Sequence, residues 1–283
     1  MVTAPPVRRR LVGDALRRYR ENLGYTLADA ARILDCDKSK VSRIETGQRG
    51  IRAKELRELL TGYGIDDEQQ AVLAAIADSR SRDGWPGAYA DVLRGAYQDY
   101  LLLESSASKV SAYEAQRIPA LLQTPDYARA LADSNPELAD EDARDRMVEA
   151  TLARQKAIFG EYKPDVHLII GEAALYQEVG GPAVMDGQLG LLAGVSGDSG
   201  LITVQILPFS SGAHAAAGIG SLAILQFPHA RGLGVVYLDG ARDGVCLERQ
   251  ADVASYVRAF EQLRVFALSP VQSALMLRGR AAA

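Results

Sequence analysis

The stretch TLADAARILDCDKSKVSRIETG, residues 26–47, decides the fold of the N-terminal part. Thr26 precedes Leu27, Ala28 and Asp29, and an acid three residues after a threonine is a capping-box start for a helix. Ala30, Ile33 and Leu34 recur at helical spacing and give that short helix its apolar face. Asp35-Cys36-Asp37 reads as a tight turn. Asp37 is then placed to cap a further helix over 38–44, which turns Val41 and Ile44 inward and ends at Gly47. The outward residues of this second helix are Lys38, Ser39, Lys40, Ser42 and Arg43. Every one can donate a hydrogen bond, three are cationic, and no acid interrupts the face before Glu45. A helix turned to plain solvent usually mixes in acids.

Working outward, Leu11, Ala15, Leu16 and Tyr19 predict a helix over 12–22, stopped at Gly24. Leu56, Leu59 and Leu60 predict a fourth helix, and Asp66-Asp67 cap a fifth over 68–79. Two short helices joined by a tight turn inside a small helical bundle is the helix-turn-helix arrangement, whose second helix fits the major groove of DNA. Ahead of the bundle, Val7-Arg8-Arg9-Arg10 reads either as an arm adding phosphate or minor-groove contacts or as an ordinary disordered tail.

Charge is distributed to match. The 283-residue chain has a net charge of −4, but residues 1–60 hold 14 basic and 8 acidic side chains, against 18 and 28 in the remainder. A head of +6 on a body of −10 attracts polyphosphate at one end and limits indiscriminate adhesion elsewhere. Residues 79–87, SRSRDGWPG, have linker composition, so two domains are expected, 1–80 and 81–283. No stretch approaches the roughly 20 apolar residues of a membrane span, and the basic start is followed by no apolar run. Export is therefore not expected. Cys36 and Cys246 lack metal-ligand spacing and suit a reducing cytoplasm.

In the body, helical patterns cover 97–107, 125–133, 141–159, 182–195 and 252–268. Strand-like runs cover 108–113, 166–170, 202–207, 221–227, 234–238 and 245–248. The expected fold class is α+β: an all-α helix-turn-helix bundle followed by a larger mixed α+β domain. Little chemistry is visible. His167, His214 and His229 are dispersed, without metal-ligand spacing. The Gly-Asp-Ser-Gly of the 194–200 loop has no matching histidine and aspartate and reads as a turn. Glu114, Glu172 and Glu248 stand at or near strand ends, where such residues are more often caps or interface groups than acid catalysts. No enzyme, catalytic residue, metal or cofactor is expected.

Residues 20–34 and 37–47, at their spacing, resemble the Cro and phage-repressor (Xre) family over about residues 8–65. The resemblance implies base-edge contacts by Lys38, Ser39 and Arg43, with Ser42 on the same face. It places Thr26, Lys40, Thr46, Gly47, Gln48 and Arg49 on phosphates, and makes Arg20 and Glu45 a structural tether between the first and third helices. Leu27 stands where that family often has a DNA-contacting glutamine, so it is read as core. Further phrases carry the resemblance into the body. They are Tyr113-Glu114, Ile118 to Thr124 with Tyr127-Ala128, Arg154-Gln155, Gly180 to Met185, Val204 to Pro208, and Gly212 to His214. Together they resemble a large actinobacterial family that fuses an Xre-type head to an uncharacterised body. Members are often encoded beside a small partner protein and are described as antitoxin-like regulators. The resemblance implies a dimeric, cytoplasmic regulator of operator DNA whose body binds a small protein. Two other accounts stay open: a small-molecule pocket around 202–227 in the body, or an enzyme guided to DNA.

Overall fold

A computed structural model of the chain describes residues 5–77, 85–93, 95–195, 202–228, 233–240 and 244–281. Five helices form the N-terminal bundle: α1 (Val7–Asn22), α2 (Leu27–Ile33), α3 (Lys38–Glu45), α4 (Ala53–Gly62) and α5 (Asp67–Ala77). The rest runs α6 (Trp85–Ala88), α7 (Gly95–Glu104), β1 (Lys109–Glu114), α8 (Pro125–Asp133), α9 (Glu141–Lys156), β2 (Asp165–Gly171), α10 (Pro182–Val195), β3 (Ile202–Leu207), β4 (Ser221–Gln226), β5 (Gly234–Leu238), β6 (Val245–Leu247), α11 (Gln250–Phe266) and α12 (Pro270–Ala281). The protein is α+β, as its sequence pattern indicates. The SRSRDG part of the expected linker, most of the 194–200 loop and His229 lie outside the described residues.

α1 begins earlier than its central apolar residues suggest. Val7 and Leu11 are both buried, so the apolar stripe continues back to Pro6, which has no N–H to donate and adopts φ −53°, ψ 141° ahead of the first turn. Arg8, Arg9 and Arg10 are therefore helical and not a disordered tail.

The six strands form one mixed sheet in the order β3-β2-β1-β4-β5-β6. β3, β2 and β1 are parallel, while β4, β5 and β6 form an antiparallel meander joined to β1. Alternation along the strands divides the side chains between two layers. Tyr113, Ile169, Leu222, Ile224 and Val236 meet Val253, Phe260 and Leu263 of α11 on one face. Val110, Val166, Leu168, Ile170, Leu225 and Val235 face the remaining helices. α12 was not foreseen, although its start carries a readable signal. Ser269 and Gln272 form reciprocal cap bonds (3.1 and 3.2 Å) around Pro270 at the first helical position. Ser273 of this helix donates to nothing on the sheet but accepts the Ile206 N–H of edge strand β3 at 2.9 Å, covering an edge that would otherwise invite pairing.

The bundle packs on the body through α1. The Val7 N–H donates to Asp99 of α7 (3.2 Å), and Arg10 holds Glu248, just beyond β6, through two bonds of 2.5 and 3.1 Å. Apolar packing is continuous from Leu11 and Leu16 through Leu101 to the sheet. Glu248 is thus an interface group. Glu172 accepts the Phe209 N–H at 2.7 Å, a structural role as well.

Candidate nucleic-acid interface

The two helices at the proposed reading head are built by local chemistry. At the start of α2, Thr26 Oγ1 accepts the Asp29 N–H (3.2 Å), and Asp29 accepts the Thr26 N–H and hydroxyl (both 2.7 Å). These bonds hold the Asp29 carboxyl below the usual range. Asp35 takes a left-handed conformation (φ 45°) in the turn, tolerable for an aspartate. Asp37 then caps α3 by accepting the Ser39 N–H at 2.7 Å. Leu27 is half-buried against the core, as its side chain suggests.

α3 is fixed to α1 from two directions. Gly13 brings the helices into backbone contact: a Cβ there would lie 2.6 Å from the Ile44 carbonyl oxygen and 2.7 Å from that of Glu45. Arg20 donates to both oxygens of Glu45 (2.7 and 2.8 Å) and also to the Tyr25 carbonyl (2.8 Å). Both members of this pair are buried, with side-chain exposures of 9% and 5%. Bidentate geometry sets orientation as well as distance, so the pair fixes the pitch of α3. Beside it lies the buried Tyr63 hydroxyl, which has no hydrogen-bond partner among the described residues and is pushed up to about 12 by burial.

The outer face of α3 presents Lys38, Ser39 and Arg43 exposed and Ser42 half-buried. Arg43 folds back along its helix, donating to the Ser39 carbonyl (3.2 Å) and hydroxyl (3.3 Å). Lys40 is drawn inward onto Glu55 of α4 at 2.7 Å and holds that carboxyl low. To meet a phosphate it would have to leave this pair. Thr26 and Thr46 already donate their hydroxyl protons within the chain, Thr46 to the Ser42 carbonyl at 2.9 Å. Gln48 and Arg49 are exposed on the following loop. Gly47 is left-handed (φ 71°) and lies against Arg10, where a Cβ would come within 3.1 Å of backbone.

One grouping escaped the sequence reading. Arg8 and Arg9 of α1 and Arg49 line a cleft of about 170 Å³ with Gly13, Gly50 and Ile51, and no acid lines it among the described residues. The signal was present in the basic run at 8–10, but only its helical conformation brings it beside the loop after α3. Such a cleft matches phosphate by charge and by guanidinium geometry.

No group of histidine, cysteine or carboxylate side chains suited to a metal occurs among the described residues, and no described helix is long and apolar enough to cross a membrane. His167 is buried against Phe260, its Nε2 2.7 Å from Gln205 Oε1, and burial pushes its pKa down.

A family model described as a helix-turn-helix domain matches residues 11–73. A second, described as a domain of unknown function (DUF5753), matches residues 97–279. No curated protein and no solved structure matches the chain. With a helix-turn-helix domain at its N-terminus and well over half its length matched by the second model, the chain belongs to the DUF5753 family.

Proposed function

We propose that this protein is a sequence-specific transcription regulator of the Xre type that reads operator DNA with α3. The observation that carries the reading is the outward face of α3, cationic and free of acids, held to α1 by the buried Arg20–Glu45 pair. Lys38, Ser39 and Arg43 face base edges. Arg or Lys on guanine O6 and N7 supplies about 1–3 kcal/mol of discrimination per good contact. Gln48, Arg49 and Arg9 meet phosphates, with Arg8, Thr26, Thr46 and Lys40 joining only if they leave their present partners. The chain divides functionally near residue 80 into this head and a regulatory body, and acts in the cytoplasm.

The body pairs two heads. Phe209, Val265, Phe266, Val271 and Leu275 are large apolar residues left exposed around the ends of α11 and α12, 47–82% of each accessible. Exposed apolar residues concentrated in one region mark interaction surfaces, and we assign this one to a second copy of the chain. Two-fold pairing gives a pseudo-palindromic operator with half-sites about 34–36 Å apart per helical turn. The resemblance to antitoxin-like actinobacterial regulators adds a small partner protein, which should co-purify stoichiometrically from the native host.

The direct experiment is selection of bound duplexes from a random pool by the purified protein, with the mass in solution measured by light scattering. A dimer that enriches a pseudo-palindrome supports the reading. A protein that enriches no sequence refutes it. A ligand-sensing body is the second reading, favoured by a cleft at the sheet.

A further inference from the structure

The strand order β3-β2-β1-β4-β5-β6 changes direction between β1 and β4. In open parallel α/β sheets, the crevice outside the carboxyl ends of strands at such a switch point is the usual ligand position; here β1 presents its carboxyl end there and the antiparallel β4 its amino end. Here β1 ends at Glu114, directly opposite Ser221 at the start of β4, and β5 ends alongside, next to Asp239. A cleft of about 50 Å³ opens at this point. This cleft draws on β4 and on no residue of β3, so it overlaps only in part with the alternative of a ligand pocket around residues 202–227.

The cleft has an aromatic wall and a charged mouth. Tyr97 and Tyr100 of α7 pack on Tyr237 of β5 with ring centroids 5.5 and 5.3 Å apart. Arg154 also lines the cleft, but Glu104 binds it bidentately (2.9 and 2.7 Å) and the Tyr97 and Tyr100 hydroxyls each accept a further bond, so the Arg154–Glu104 pair is neutral in sum. At the mouth, two carboxylates face one guanidinium. Glu114 accepts from the Ser221 hydroxyl (2.5 Å) and from Arg117 (3.2 Å); Asp239 accepts from the Tyr237 hydroxyl (3.1 Å) and from Arg117. The Glu114 side chain is 15% exposed and that of Arg117 45%, so Arg117 reaches in from the solvent side. Its guanidinium spans the two carboxylates as a stopper would.

We propose that this cleft is a binding site for a small organic cation with a planar amidinium or guanidinium head. The head seats between Glu114 and Asp239, with its apolar part on Tyr97 and Tyr237, and displaces Arg117. Carboxylates supply charge-assisted hydrogen bonds to the head, and the rings supply apolar stacking contact to the rest of the molecule. The site is also connected to the head. α7 presents Tyr97 and Tyr100 to the cleft and Asp99 to the Val7 N–H of α1, and β6, next to α7, leads into Glu248 and its grip on Arg10. A cation that moves α7 therefore bears on the helix that carries α3. This last step rests on the DNA-binding reading; the binding itself does not.

The test is calorimetric titration of the full chain with benzamidine, and with benzamide and benzoate as neutral and anionic counterparts. Wild type should bind benzamidine at least tenfold more tightly than either counterpart. Asp239→Asn should weaken it about tenfold. Arg117→Ala should strengthen it about tenfold, because the internal competitor is gone, and such a gain cannot come from misfolding. Preference for benzoate, loss of binding in Arg117→Ala, equal binding by all variants, or no binding by wild type and Arg117→Ala alike would each overturn the proposal. Operator affinity is then measured with and without benzamidine. A change supports the link through α7, and no change refutes that link while leaving the cation site standing.

Discussion

Arg20→Met tests how α3 is held. Arg20 is the source of both hydrogen bonds that reach the Glu45 carboxylate, at 2.7 and 2.8 Å, and the Glu45 side chain is only 5% exposed. Removing the guanidinium leaves a buried charge without compensation, which costs about 3–5 kcal/mol. The Tyr25 carbonyl also loses a charged donor, a further contribution of about 1.5–3 kcal/mol before water replaces it. Against a typical total stability of about 5–15 kcal/mol, that is enough to loosen the bundle. Removing both charges has a different consequence. Replacing a buried pair by apolar side chains of similar volume is often neutral or stabilising, so Arg20→Met with Glu45→Met should recover most of the loss. Urea unfolding followed by far-UV circular dichroism gives the energies, and hydrogen exchange over residues 38–47 shows whether α3 is what loosens. A cost below about 1 kcal/mol for the single variant, or a double variant as unstable as the sum of the singles, would refute the reasoning.

Three other outcomes follow from the same packing. Gly13→Ala should destabilise the bundle by about 1–3 kcal/mol and weaken DNA binding, because the new methyl meets the Ile44 and Glu45 carbonyls rather than a side chain that can move; unchanged melting and binding would contradict this. Tyr63→Phe removes a buried hydroxyl that has no partner among the described residues, so stability should stay level or rise, and a loss above 1 kcal/mol by the same unfolding assay would reveal a partner. His167 is held neutral by burial, with its pKa below the ordinary 6.5, so the unfolded chain binds the proton first. Its contribution is therefore complete above pH 6.5 and declines as pH falls below it, and wild type should lose more stability between pH 8 and 5.5 than His167→Gln does.

Much of the fold was legible because periodicity and caps are local. Thr26 and Asp37 announce α2 and α3, and each makes the cap bond its position suggests. All six strands fall within a residue or so of their apolar runs, since these runs are short, rich in β-branched residues and bounded by turn residues. Strand order was not legible. It depends on the crossings of α8, α9 and α10, which no local pattern records. α1 starts earlier than its pattern predicts because three arginines separate Leu11 from Val7, the next residue of the apolar stripe. At the candidate interface, residue type and position were readable, but partners were not. Lys40 looks like a phosphate ligand until α4 brings Glu55 to it, and the cluster of Arg8, Arg9 and Arg49 exists only in three dimensions. Glu114 stands at a strand end with Arg117 three residues on, but its companions Ser221 and Asp239 come from segments far apart in sequence.

The central claim is that α3 reads bases. Fluorescence anisotropy with the selected operator and each of its single-base-pair variants, for wild type and Arg43→Ala, tests it most directly. The account predicts that Arg43→Ala loses about 1–3 kcal/mol on the operator and becomes indifferent to one base pair in each half-site, while discriminating the others as before. An Arg43→Ala variant with unchanged preference at every position, or one weakened uniformly across all sequences, would contradict it.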